Sequence, residues 1–153
     1  MAKSIDIRQL SEAILVEKDN GTKVNYFLYP EFEIHQNVLP ANTIQDWHKH
    51  QAIEEIIVPT KGNVTIQVLE DNAIKTYTAN CGEVLRVKQS IHRIIGDDKE
   101  ETEFIVFRFV PTGNDQSDKI KNDKVDCEKL VAEIFEREVR LEGAFGVFFS
   151  LSF

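Results

Sequence analysis

The chain has 153 residues, 42% hydrophobic and 29% charged, with a formal net charge of −8. That length fits one domain with a single buried core. The acidic balance without a basic stripe argues against a nucleic-acid binder. No stretch approaches the roughly 20 apolar residues that span a bilayer, and the charged N-terminus MAKSIDIRQLSEAI lacks a signal-peptide core. A cytoplasmic protein that handles a small molecule is expected, with neither nucleic acid nor membrane as partner.

From the N-terminus, Ile14-Leu15-Val16 and Val24 to Tyr29 flank Asp19-Asn20-Gly21, a hairpin signal because Asn-Gly tolerates the positive φ of a tight turn. Glu31 to Leu39 alternates, with Phe32, Ile34 and Val38 on one face and Glu33, His35 and Asn37 on the other. Pro40-Ala41-Asn42 breaks it. Glu55 to Val58 reads as a strand stopped by Pro59 and turned at Lys61-Gly62-Asn63. Val64 to Val68, Ile74 to Ala79, Glu83 to Val87, His92 to Ile95 and Phe104 to Val110 complete the set, with turn residues between them. Regularly spaced short strands of this kind indicate an all-β sandwich or barrel.

The pattern then changes. Residues 112–125 are polar and read as a linker, and residues 126–141 carry Cys127, Leu130, Val131, Ile134 and Leu141 at helical spacing. This predicts a C-terminal helix that docks its apolar stripe on the barrel or on a partner. The tail 143–153 has no charge after Gly143 and holds four of the ten phenylalanines. Exposed, it would aggregate; an extra strand or a subunit interface is the expected place for it, and a homodimer the expected assembly. Cys81 and Cys127, the only cysteines, form no CxxC pair, so two reduced thiols are expected.

The residues with chemical potential concentrate at Trp47-His48-Lys49-His50, followed by Glu54-Glu55 and Gly62. Two histidines one residue apart on an extended strand project to the same face. A carboxylate a few residues on can join them around a divalent metal, and His92 is a fourth donor further along. Imidazole plus carboxylate suits Fe, Mn, Ni, Zn or Cu. On an unbroken strand Glu54 shares the parity of the histidines; a turn or bulge at Gln51-Ala52-Ile53 would turn Glu55 inward instead. His35 reads as a cavity liner or a solvent-facing histidine, Trp47 as a core or rim aromatic, and Tyr26, Gln36, Gln67 and Tyr77 as further liners. Arg86, Arg93 and Arg108 lie in strand-like segments and read as solvent-facing or ion-paired rather than as anchors for an anionic substrate.

At these residues the sequence resembles the cupin superfamily. His48-Lys49-His50, four residues, Glu55, six residues and Gly62 follow its first motif. Gly82-Glu83 and His92 stand at the ends of its second, whose Pro and Gly are here replaced by Lys88 and Gln89-Ser90. The resemblance implies a cupin-type double-stranded β-helix, or jelly-roll, spanning residues 30–111, with residues 1–29 as strands or a hairpin packed on it. It implies a divalent transition metal in the barrel mouth on His48, His50, Glu55 and His92, and it selects Glu55 over Glu54. The expected function is binding, with or without transformation, of a small polar metabolite by oxygenase-, isomerase- or lyase-type chemistry. The alternative is a non-enzymatic ligand-binding or sensing barrel. No catalytic residue stands out, although Glu54, His35 or a tyrosine is a candidate base.

Overall fold

β-branched and aromatic residues alternate with polar ones through the first hundred residues, and each run between turn signals pairs as a strand. The computed structural model describes residues 4–145. It divides after Thr112 into two units. The first contains β1 (Ile14–Glu17), β2 (Lys23–Leu28), β3 (Phe32–Leu39), β4 (Glu54–Lys61), β5 (Val64–Glu70), β6 (Ala73–Ala79), β7 (Leu85–Arg86), β8 (Ile91–Ile95) and β9 (Thr102–Phe109). They form two antiparallel sheets, one ordered β1-β2-β3-β9-β4-β7 and the other β6-β5-β8.

The core lies between the sheets and is built from Leu39, Ile57, Val64, Ile66, Val68, Val87, Ile94, Phe104 and Val106. Because strand side chains alternate, each of these residues assigns a face to its neighbours two positions away. On β4, Ile57 shares its face with Glu55; on β9, Phe104 and Val106 share theirs with Arg108; on β3, Leu39 shares its own with Asn37, His35 and Glu33. The apolar residues Phe32, Ile34 and Val38 therefore point out of the sandwich, and His35 and Asn37 are buried inside it. This reverses the solvent-facing reading of His35.

Pro59 does not end β4, which continues to Lys61 with a register shift between Pro59 and Lys61. Its missing N–H is tolerated because the neighbour on that side, β7, pairs only with Ile56 and Ile57, leaving the strand an open edge at Pro59. The turn that follows needs the positive φ of +71° that Gly62 adopts. A second glycine matters for space: a Cβ on Gly96 would stand 2.6 Å from the Pro40 carbonyl oxygen. The turn at residues 40–43 lies directly on it, with the Gly96 N–H donating to the Thr43 carbonyl at 2.7 Å.

The second unit contains α1 (Ser117–Asn122) and α2 (Glu128–Phe145). The expected linker thus includes a short helix, and the long helix runs to Phe145 rather than ending near 141, because the Leu141–Phe145 segment contains no proline and its single Gly143 is insufficient to stop it. Leu130, Val131, Ile134 and Leu141 are all exposed. The remainder of the expected apolar tail, residues 146–153, lies outside the described residues. Cys81 and Cys127 are free thiols, and among the described residues no helix is long and apolar enough to cross a membrane.

Candidate metal centre

The segment carrying His48 and His50 follows β3 and runs beside β8. It is extended but belongs to no named strand, being tied by isolated bridges from Ile44 to Ile95 and from His48 to His92. The second bridge is reciprocal: the His48 N–H donates to the His92 carbonyl at 3.0 Å and the His92 N–H to the His48 carbonyl at 2.9 Å. Two histidines 44 positions apart in sequence are thereby set side by side by the backbone itself. Their ring centroids are 4.4 Å apart, and His50 lies 5.3 Å from His48 and 5.6 Å from His92. One potential donor nitrogen from each ring falls in a group whose members all lie within 4.8 Å of one another.

The rings are oriented from behind. A carbonyl oxygen can only accept, so His48 donates from Nδ1 to the Asp46 carbonyl at 2.9 Å, and His92 from Nδ1 to the Ser90 carbonyl at 2.9 Å. Both rings then present the lone pair of Nε2, the arrangement that outer-shell carbonyls impose on metal-ligating histidines. The Nε2 atoms of His50 and His92 are buried without a hydrogen-bond partner. Burial is also the main reason that both imidazoles are held below the ordinary histidine range. They are therefore neutral, as ligands must be. The donor set fits a divalent transition ion.

The two glutamates separate cleanly. The bends at Gln51 and Ala52 interrupt the chain between His50 and β4, and Glu55 turns inward, 3% exposed, with Oε2 at 3.3 Å from His50 Nε2. That distance lacks hydrogen-bond alignment, which is why His50 Nε2 remains unpartnered. The oxygen instead accepts a hydrogen bond from Arg108 Nε at 2.7 Å. Glu54 is also buried but faces Arg86, whose Nε donates to its Oε2 at 3.0 Å while Nη2 stands 2.9 Å from the same oxygen. Its Oε1 accepts from the Lys88 N–H at 3.0 Å. Lys88 holds a φ of +56° within the turn where the second motif carries Pro and Gly. Glu54 thus anchors the turn that leads through Ser90 to His92.

Two features escaped the sequence. Arg108 meets Glu55 across 53 positions, a pairing that only the β4–β9 register brings about. Glu33 and His35 form a pair on β3, with His35 Nε2 at 2.7 Å from Glu33 Oε2 and the His35 ring edge-on to Tyr26 at 4.4 Å. Burial, opposed by the Glu33 hydrogen bond, lowers the His35 pKa. The i, i+2 spacing of Glu33 and His35 was a legible signal of their shared face. Arg86 and Arg108 are ion-paired, as expected, whereas Arg93 lies over the Trp47 ring at 4.8 Å and donates to Gln67 Oε1. Tyr77 donates to Glu70, Gln36 is exposed, and neither contacts the histidines. Tyr29, Glu33, Ile53 and Arg108 line a cavity of about 340 Å³.

The two-sheet frame around this site is similar to that of solved structures. The Schizosaccharomyces pombe Cnp3 cupin domain matches with a TM-score of 0.54 at 14% identity, over 77% of this chain and 80% of that one. The chain has the cupin fold. An FeII form of HppE matches this chain with a TM-score of 0.57 at 11% identity, over 71% of it and 62% of HppE. A structure of oxalate oxidase matches with a TM-score of 0.55 at 16% identity, over 69% of this chain and 59% of that one. The chain thus spans less than two thirds of the length of either enzyme. No protein-family model matches its sequence, and no curated protein does either.

Proposed function

We propose that this cupin holds one divalent transition-metal ion on His48, His50 and His92, with Glu55 at its flank, and binds and transforms a small polar metabolite there. One observation carries the reading. Two buried imidazole nitrogens without partners converge with a third whose tautomer is set for ligation. An unsatisfied buried polar atom costs roughly 1–3 kcal/mol, and a bound cation is what would offset that cost. Such an ion supplies Lewis-acid character to a bound oxygen atom, and a redox-active one supplies electron transfer as well.

The chain's own residues do the rest. The carbonyls of Asp46 and Ser90 hold two of the rings in the ligating tautomer. The cavity lined by Arg108 and Glu33, which adjoins the centre through the Arg108–Glu55 contact and not through the histidines, gives a ligand room. The Glu33–His35 pair favours a catalytic role over simple binding, because it sets a buried imidazole against a carboxylate that is 40% exposed, a route for a proton between solvent and the interior. HppE, whose structure is described as an FeII form, and oxalate oxidase share the fold and lend weight to metal-dependent chemistry. Elemental analysis of protein purified without chelator tests the reading: about one transition ion per chain is expected, lost in the H48A/H50A protein. Absence of metal both as isolated and after loading would refute it, and the metal found separates oxygenase chemistry (iron) from isomerase, lyase or binding roles (zinc or nickel).

A further inference from the structure

The carboxylate that stands beside the three histidines is already engaged. Glu55 Oε2, the oxygen 3.3 Å from His50 Nε2, is the same atom that accepts from Arg108 Nε at 2.7 Å. Among the described residues, the donors that lie within 4.8 Å of one another are the three imidazoles, with no carboxylate oxygen in the group. Both partners are confined: Glu55 is nearly fully buried, and Arg108, 34% exposed at its side chain, shares the inward face of β9 with core residues. A charge-assisted hydrogen bond of this length is among the stronger side-chain contacts. Drawing the carboxylate onto a dication would weaken that bond and leave the Arg108 guanidinium without its partner.

We infer that Arg108 holds Glu55 outside the coordination sphere, so that the ion rests on His48, His50 and His92 alone. This builds on the metal-binding reading above and departs from the four-residue donor set that the sequence motif implies. The consequence concerns the ligand. Three histidine nitrogens alone would leave the remaining coordination positions of such an ion open to a ligand with oxygen donors. Arg108, its charge matched by Glu55, is a positioning residue for that carboxylate and not an anchor for an anion.

A double-mutant cycle on Co(II) affinity tests this, using the full-length protein and competition with a chromophoric chelator. Glu55→Gln alone is expected to leave the Co(II) dissociation constant within threefold of wild type. Arg108→Gln frees the carboxylate and is expected to tighten binding more than threefold, with a change in the Co(II) visible spectrum. Combining the two substitutions is expected to abolish that gain, which separates ligation by Glu55 from mere loss of a positive charge nearby. If Arg108→Gln does not fold, Arg108→Lys keeps the charge but loses the Nε donor, and tightening in the same direction is expected. A loss above threefold in Glu55→Gln overturns the inference, as does unchanged or weaker binding in the Arg108 variant. Wild-type Co(II) affinity that survives in H48A/H50A refutes the underlying metal reading instead, and the inference falls with it.

Discussion

Replacing His50 with leucine separates the cost of the metal centre from its benefit. In the metal-free protein, His50 Nε2 is buried and makes no hydrogen bond, a defect worth about 1–3 kcal/mol. Leucine removes the polar atom and keeps comparable bulk at a side chain only 15% exposed. The metal-free variant should therefore be more stable than wild type by roughly 1–2 kcal/mol after allowance for imperfect packing. At about 2–4 °C per kcal/mol for a chain of this size, the melting temperature should rise by roughly 2–8 °C. Metal reverses the order. An ion at one hundred times its dissociation constant stabilises the wild type by about 2.7 kcal/mol, and the leucine variant loses most of that gain. Circular-dichroism melts of both proteins in chelator and in excess Co(II) give the four values needed. A variant less stable than wild type without metal, or one that gains as much as wild type with metal, would refute the reasoning.

Two further outcomes are expected. His35, His50 and His92 all have pKa values lowered chiefly by burial, so below about pH 6.5 the unfolded chain takes up protons that the folded one resists. The stability of the metal-free protein should be level above that pH and fall steadily below it, down to the folded pKa values. Urea melts between pH 7.5 and 5 check this, and a stability maximum below pH 6 would contradict it. Gly96→Ala places a methyl group 2.6 Å from the Pro40 carbonyl oxygen and should cost about 1–3 kcal/mol as the turn is pushed away. Because Ile44 and His48 follow that turn along β8, Co(II) affinity should weaken as well; thermal melts and metal titration that both match wild type would show that the turn gives way freely.

The strand succession was readable because residue types alternate with a period of two and the breaks carry turn residues. The face of β3 was not. Alternation separates Phe32, Ile34 and Val38 from His35 and Asn37 without saying which set points inward, and the usual presumption that apolar means buried fails where a sheet lines a polar site. Only the partnership with β9, where Phe104 and Val106 enter the core, decides it. Arg108 and Glu55 are likewise 53 positions apart, and no local pattern connects them.

The His48-Lys49-His50 stretch by itself placed two imidazoles on one face of an extended segment, and its resemblance to a family motif, with Glu55 and Gly62 at the matching spacing, implied the β-fold around them. Tertiary structure decided how these groups meet. The bends at Gln51 and Ala52 turn Glu55 inward, as the motif spacing implied, the His48–His92 bridge sets the two rings side by side, and strand register delivers Arg108, which no local pattern announced, to the carboxylate. Those are long-range pairings, and their geometry comes from backbone hydrogen bonds between segments that the sequence leaves far apart.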